Sequence, residues 1–253
     1  MESTPNFYES IFEVRVKAGV SDFMDVQIRP QLYFNATEGE QYFNIGDMTA
    51  QVGIQLFKRD PRGWRPNARL ALRGNMPLGK YKHLNPKLQG TDAIGSGSWL
   101  PTATLSLSNI WNTSDRHYLE GRFTVRYQVG TPVLVKGVNS YGGVDKTKGF
   151  IYPGNNSMVD AAIQYNFTQR WVFASDLRWS YTQKRRFSGF SGIDADGLPV
   201  RMTAPVSMVW SLAPAIEYNW SDNVGLIAGV WFSFAGKNTS QFRNTIISLN
   251  IYI

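Results

Sequence analysis

The chain has 253 residues, a net charge of +7, 43% hydrophobic and 18% charged residues, and no cysteine. The length allows one large domain, and the aromatic content of 14% together with the low charge argues against disorder. The lack of cysteine excludes disulfides and thiolate metal sites, and two histidines, His83 and His117, are too few for a histidine-rich metal site.

The sequence contains no helical transmembrane segment, because no run of about 18 apolar residues occurs in it. The first residues, Met1 to Pro5, have neither the basic region nor the apolar region of a signal peptide. Taken alone, this start favours the cytoplasm. A mature exported protein whose signal peptide has been removed would look the same.

Apolar and polar residues alternate along most of the chain, which is the period of a β-strand with one face in an apolar environment. In residues 119–129, Phe123 and Val125 alternate with Arg122 and Arg126 without a slip. Such segments exceed the usual five or six residues of a soluble strand and fit the roughly 9–11 residues that cross a bilayer. The eleven predicted segments are 8–19, 24–35, 47–58, 65–77, 98–111, 117–130, 156–167, 170–186, 205–219, 223–235 and 242–253.

The predicted connections alternate in length, as they do in outer-membrane barrels, which have short turns at one end and longer loops at the other. The predicted tight turns are 20–23, 59–63, 112–116, 168–169 and 220–222. The predicted long loops are 36–46, 78–97, 131–155 and 187–204. Aromatic rings flank each tight turn and predict a girdle at the headgroup level; they are Phe23, Trp64, Trp111, Tyr118, Phe167, Trp171, Tyr218 and Trp220.

A closed barrel follows from the chemistry of the bilayer, because strands in hydrocarbon must pair every backbone N–H and C=O group. The sequence therefore predicts an all-β fold, an antiparallel up-and-down transmembrane β-barrel, formed by residues 1–253 as a single domain. Single-chain bacterial barrels have an even number of strands. We therefore expect about twelve strands, with the twelfth preceding residue 8 and residues 1–7 supplying part of it.

The polar faces of the segments are expected to line the lumen and to set its selectivity. Arg69 with Arg73, and Arg122 with Arg126, stand four residues apart on one face in neighbouring hairpins. They could form a positive ladder of the kind that anion-selective pores use, or they could balance acidic residues structurally. The predicted lumen-lining residues are Arg15, Arg29, Arg69, Arg73, Glu120, Arg122, Arg126, Asp160, Asp176, Arg178 and Glu217.

Five short motifs, in this order and spacing, resemble the meta-pathway phenol-degradation-like outer-membrane proteins. The resemblance spans residues 12–253. It implies a barrel of about twelve strands and the uptake of hydrophobic or aromatic compounds, by analogy with long-chain fatty acid transporters. The motifs are Gly46-Asp47-Met48, Met76-Pro77-Leu78-Gly79, Gly95-Ser96-Gly97-Ser98-Trp99, residues 212–219, and Ala235-Gly236-Lys237-Asn238-Thr239.

The expected function is a passive, porin-like channel in the bacterial outer membrane for small hydrophobic or aromatic compounds, without catalytic residues, cofactor or metal. Its expected partners are outer-membrane lipid and lipopolysaccharide, the barrel assembly machinery and a small-molecule solute. Nucleic acid is not expected, since the basic residues are dispersed. The apolar loop 131–155 could fold inward as a constriction or extend the strands above the membrane.

Two other functions remain open at this stage. The first is a structural or surface-interaction barrel with a closed lumen. The second is an outer-membrane lipid hydrolase, for which His83 with Ser96 or Ser98 on the same connection would be the candidate residues. Asp194-Ala195-Asp196-Gly197 matches part of a calcium loop, although turn chemistry explains the same residues.

Overall fold

The computed structural model describes residues 7–60, 64–114 and 117–251, and almost all of its regular structure is antiparallel strand. Residues 86–88 form a single turn of 3-10 helix. Within the described ranges, no helix is long and apolar enough to cross a membrane. The strands of the first half are β1 (Phe7–Glu13), β2 (Val16–Ser21), β3 (Met24–Arg29), β4 (Gln31–Thr37), β5 (Glu40–Ile45), β6 (Met48–Phe57), β7 (Asn67–Met76), β8 (Thr102–Ser114) and β9 (His117–Gln128).

The second half of the chain adds eight strands. They are β10 (Val133–Lys136), β11 (Lys148–Tyr152), β12 (Asn156–Asn166), β13 (Trp171–Thr182), β14 (Arg186–Phe190), β15 (Ser207–Ser221), β16 (Val224–Lys237) and β17 (Arg243–Ile251).

The main sheet has eleven strands in the order β17-β16-β15-β13-β12-β9-β8-β7-β6-β3-β2, and every neighbouring pair is antiparallel. Each of the eleven predicted segments supplies one of these strands. The two edge strands, β2 and β17, therefore run in the same direction. An antiparallel closure between them needs an even number of strands, which agrees with the expected twelve. Residues 1–6, part of the predicted twelfth strand, lie outside the described residues.

Burial is inverted relative to a soluble protein, which identifies the faces of the main sheet. Large apolar side chains along the strands are exposed, among them Phe123 at 47%, Ile163 at 51% and Leu72 at 48%. Polar side chains on the opposite face are buried, among them Asp160 and Gln27. We call these the apolar face and the polar face. Exposed apolar strands alternating with buried polar positions fit a sheet whose apolar face lies in lipid.

The aromatic residues predicted to flank the tight turns lie where a membrane girdle would need them. Trp64, Trp111 and Trp220 are each at least half exposed. The rings of Trp171 and Tyr218 contact one another across β13 and β15, with centroids 4.7 Å apart. We call this end of the sheet the turn end, and the opposite end the loop end. The predicted turns 59–63 and 112–116 include residues 61–63 and 115–116, which lie outside the described residues.

The prediction of a long loop at 36–46 was wrong. β4 and β5 continue past the membrane strands and meet in a two-residue turn, in which Glu38 and Gly39 both have positive φ. Such a turn matches the right-handed twist of paired strands. β1, β4 and β5 form a separate three-stranded sheet that projects from the loop end.

Residues 131–155 are not an irregular loop, because they contribute two strands, β10 and β11, to a separate small sheet. This sheet has the order β10-β11-β14, and Val133, Val135, Ile151 and Met202 form its buried apolar core. We call this unit the cap. Its strands hide the apolar residues that made the loop unusual in sequence. Whether this unit narrows the path or extends the strands above the membrane stays a prediction.

Candidate functional site

Ten of the eleven residues predicted to line the lumen lie on the polar face of the main sheet. Cross-strand partners in a sheet lie on the same face. One row of successive cross-strand partners on this face contains Arg69, Ser106, Thr124, Asp160 and Arg178. Seven other predicted residues lie on the same face in other rows of cross-strand partners. They are Arg29, Arg73, Glu120, Arg122, Arg126, Asp176 and Glu217. Arg15 lies in the break between β1 and β2. That these residues control selectivity remains a prediction.

Several of these charges form ion pairs across the strands. Arg178 Nε donates to Asp160 Oδ2 at 2.8 Å, and Arg122 lies 3.4 Å from Asp176. Arg69 Nη2 binds both oxygens of Asp25, at 2.7 and 2.8 Å. One arginine of each predicted pair, Arg69 and Arg122, is therefore neutralised by a structural ion pair.

Gly53 permits the Arg69–Asp25 pair. Asp25 and Gly53 are register partners on β3 and β6, and Arg69 reaches Asp25 across β6 from β7. A Cβ atom at Gly53 would occupy the position of the Arg69 guanidinium. The absence of a side chain at Gly53 therefore leaves space for the Arg69 side chain, which explains why a glycine lies in the interior of this strand.

The remaining predicted residues divide by their position along the strands. Arg15 and Arg29, near the loop end, both contact Glu13, at 3.4 and 3.8 Å. In the part of the chain that the structure describes, Arg73 and Arg126 form no ion pair, and neither do Glu120 and Glu217 on the turn half.

Asp47 organises the loop end of the polar face and was not among the predicted site residues. Its Oδ1 accepts a hydrogen bond from Gly79 N at 3.0 Å. Its Oδ2 accepts from Ser96 N at 3.0 Å, from Ser96 Oγ at 2.7 Å and from Asn75 Nδ2 at 3.1 Å. The sequence signal for Asp47 was the motif Gly46-Asp47-Met48. This motif contributed to the family resemblance, but no chemical role was predicted for its aspartate.

Three of the resembling motifs meet at Asp47. Gly79 and Gly95 pack backbone against backbone, so that a Cβ atom on either one would collide with the other. Asn75, on the polar face of β7, also donates to Ser98 O at 3.3 Å. The connection 78–97 is therefore held against the polar face at the loop end. We call this region, from Asp47 and Asn75 to residues 78–97, the mouth.

Tyr141 is one of the residues that join the cap to the mouth, beside backbone hydrogen bonds between residues 136–140 and 81–84. Its hydroxyl donates to Ser96 O at 2.5 Å, and the Arg185 guanidinium lies 5.3 Å from its ring centroid. A cavity of about 350 Å³ lies at this junction, lined by Glu9, Tyr33 and Ile94 among others. Burial raises the pKa of Tyr141 to about 12, and nearby Arg185 opposes this shift.

We expect Tyr141→Phe to weaken the attachment of the cap by about 1 kcal/mol, the contribution of one hydrogen bond. Because an unfolded tyrosine ionises near pH 10, the stabilisation from the raised pKa is complete below pH 10 and is lost as the pH rises to about 12. Tyrosinate absorbance should lose its step near pH 12 in this variant. Tyr152→Phe, on an exposed position of β11, is the control and should keep that step.

The hydrolase candidates are already engaged in structural contacts. Ser96 Oγ is bound to Asp47, and Ser98 Oγ lies 2.9 Å from Thr131 O. His83 lines a different cavity, beside Lys136 and Asp145.

The partial calcium motif folds as a turn. Asp194 Oδ1 accepts from Asp196 N and Leu198 N, at 3.0 and 2.8 Å. Across the described ranges there is no cluster of three acidic or histidine side chains that could hold a metal ion.

Comparison with solved structures supports the barrel fold. An outer membrane channel from Pseudomonas putida F1 matches with a TM-score of 0.63 and 9% identity, covering 96% of this chain and 83% of that chain. The NanC porin matches with a TM-score of 0.48 and 11% identity, covering 98% of each chain. No protein of curated function matches the chain in sequence. The predicted fold, an antiparallel transmembrane β-barrel, is confirmed by the first match.

A family model matches residues 14–193, which is more than two thirds of the chain. The match includes the three motifs that meet at the mouth. The predicted resemblance is confirmed, and the chain belongs to the family described as putative MetA-pathway of phenol degradation.

Proposed function

We propose that this protein is a passive outer-membrane channel that takes up small hydrophobic or aromatic compounds. The observation that carries the proposal is a set of small side chains that lie between the long charged ones on the polar face. The strand register places five small residues on this face: Ala71, Thr104, Ala174, Ala213 and Gly229. The interior of a small barrel is closed only when its inward side chains fill it, and side chains of this size leave room for water and solute.

The family and the structural relatives support the same proposal. The family description names a phenol-degradation pathway, and the relative from Pseudomonas putida F1 is described as an outer membrane channel. The channel would act without covalent chemistry and would contact lipid and lipopolysaccharide through its apolar face. The barrel assembly machinery would insert it. A closed structural barrel is the alternative, and the small polar-face residues argue against it.

Single-channel recording in planar bilayers tests the proposal. The folded protein should give discrete current steps. Ala174→Trp, on the polar face, should lower the conductance about twofold or more, because the added ring occupies the path. Ser175→Trp places the same ring on the apolar face next to Ile163 and is the matched control. A folded, heat-modifiable barrel that passes no current would reject the open channel and leave the structural barrel.

A further inference from the structure

Two arginines of the polar face have no acidic partner among residues 7–60, 64–114 and 117–251. The other basic residues on the strands of this face, and Arg15 beside them, are in ion pairs. These pairs are Arg15 and Arg29 with Glu13, Lys17 and Arg69 with Asp25, Arg122 with Asp176, and Arg178 with Asp160. Among the described residues, the Arg73 side chain forms neither a hydrogen bond nor an ion pair. Arg126 Nη2 donates to Asn156 Oδ1 at 3.1 Å, while Arg126 Nε is buried without an acceptor.

These two arginines lie close together. Arg73 is the register partner of Thr102, and Arg126 is the register partner of Thr104, so only β8 separates them. The side chains between them are short threonines. Arg126 and Arg29 both contribute to the positive potential at Arg73.

The described acids that act on these two arginines are already bound by other arginines. Asp160, the acid that acts on Arg126, is bound by Arg178 at 2.8 Å. Glu13, which acts on Arg73, is shared by Arg15 and Arg29. Glu120 is six residues from Arg126 along β9, or about 20 Å at the rise of an extended strand.

The position of the pair places it on the route of a solute. Arg73 precedes Asn75 by two residues on the same face, and Asn75 belongs to the mouth. A solute that passes the connection 78–97 would reach these guanidinium groups next. Uncompensated cations along a pore attract anions, and the planar fork of a guanidinium matches a carboxylate.

We propose that Arg73 and Arg126 form a carboxylate-binding site just below the mouth, so that the solute of this channel is a small organic acid in its anionic form. This inference rests on the proposed channel function and narrows its substrate class. Of the two readings of the paired arginines, it assigns Arg69 and Arg122 to structural balance and Arg73 and Arg126 to solute recognition.

The test uses bilayer recordings with benzoate as the probe and benzyl alcohol as its neutral counterpart. In a KCl gradient the wild type should favour chloride over potassium, and benzoate should reduce the chloride current while benzyl alcohol should not. The double variant Arg73→Gln/Arg126→Gln should lose the chloride preference and weaken the block by benzoate at least about tenfold, the effect of losing charge-assisted hydrogen bonds.

Two further variants separate charge from geometry and from folding. Arg73→Lys/Arg126→Lys should keep the chloride preference but weaken the benzoate block, because lysine lacks the guanidinium fork. Arg243→Gln removes one positive charge from an exposed position of β17 and should change neither measurement. Heat modifiability on gels checks that each variant is folded.

The outcomes distinguish this inference from the function on which it rests. If the wild type passes no current, the channel itself is rejected. If it conducts but shows no chloride preference, or if benzoate blocks the glutamine variant as strongly as the wild type, the carboxylate site is rejected and the channel stands. A chloride preference without any block by benzoate would reveal a general anion path and would also reject the site.

Discussion

Replacing Asp47 with alanine is expected to release the connection 78–97 from the polar face and to raise the single-channel conductance at least about twofold. Asp47 is nearly buried and accepts four hydrogen bonds, two of them from the backbone of Gly79 and Ser96. A hydrogen bond to a charged acceptor contributes about 1.5–3 kcal/mol, and the donors left behind would be buried without partners. We therefore expect the attachment of this connection to weaken by about 3 kcal/mol or more.

Limited proteolysis and conductance recording together check this prediction. The Asp47→Ala variant should become sensitive to cleavage within residues 78–97 while the strands stay protected. Asp194→Ala is the matched control, since Asp194 also accepts backbone hydrogen bonds but lies in an exposed turn. Its conductance should equal that of the wild type. An Asp47→Ala protein with unchanged conductance and unchanged cleavage would show that Asp47 does not hold the mouth.

Ile151→Asp is expected to unfold the cap and to leave the membrane sheet intact. Ile151 is fully buried against Val133, Val135 and Met202. A carboxylate in this apolar core would have no partner, and the cost of burying an unpaired charge is several kcal/mol. The strands of the main sheet pair with one another and not with the strands of the cap. The protein should therefore keep its heat-modifiable mobility on gels.

Hydrogen exchange measured by peptide mass spectrometry distinguishes this result from global unfolding. In Ile151→Asp, residues 133–136, 148–152 and 186–190 should lose protection while β12 and β13 retain it. Phe150→Asp changes the neighbouring residue on the opposite, exposed face of β11 and should keep the protection of the cap. Loss of protection in β12 of the Ile151→Asp protein would mean that the cap and the barrel fold as one unit.

The sequence by itself determined the membrane strands and their faces. Alternation of period two is a local property, since successive side chains of any strand point to opposite sides, and bilayer strands extend it far enough to be unmistakable. Residues such as Phe123 and Arg122 could therefore be assigned to opposite faces without a structure. The family resemblance was carried by short motifs in the same way.

Only the tertiary structure decided which polar residues interact and what the loops do. The partner of Arg69 is Asp25, two strands away, and the pairing depends on a glycine between them. Asp47 gathers donors from residues 75, 79 and 96, which are far apart in the chain. The 36–46 segment became a hairpin, and 131–155 became part of the cap. These outcomes depend on register and on contacts between distant segments, and a periodic pattern of apolar residues specifies neither.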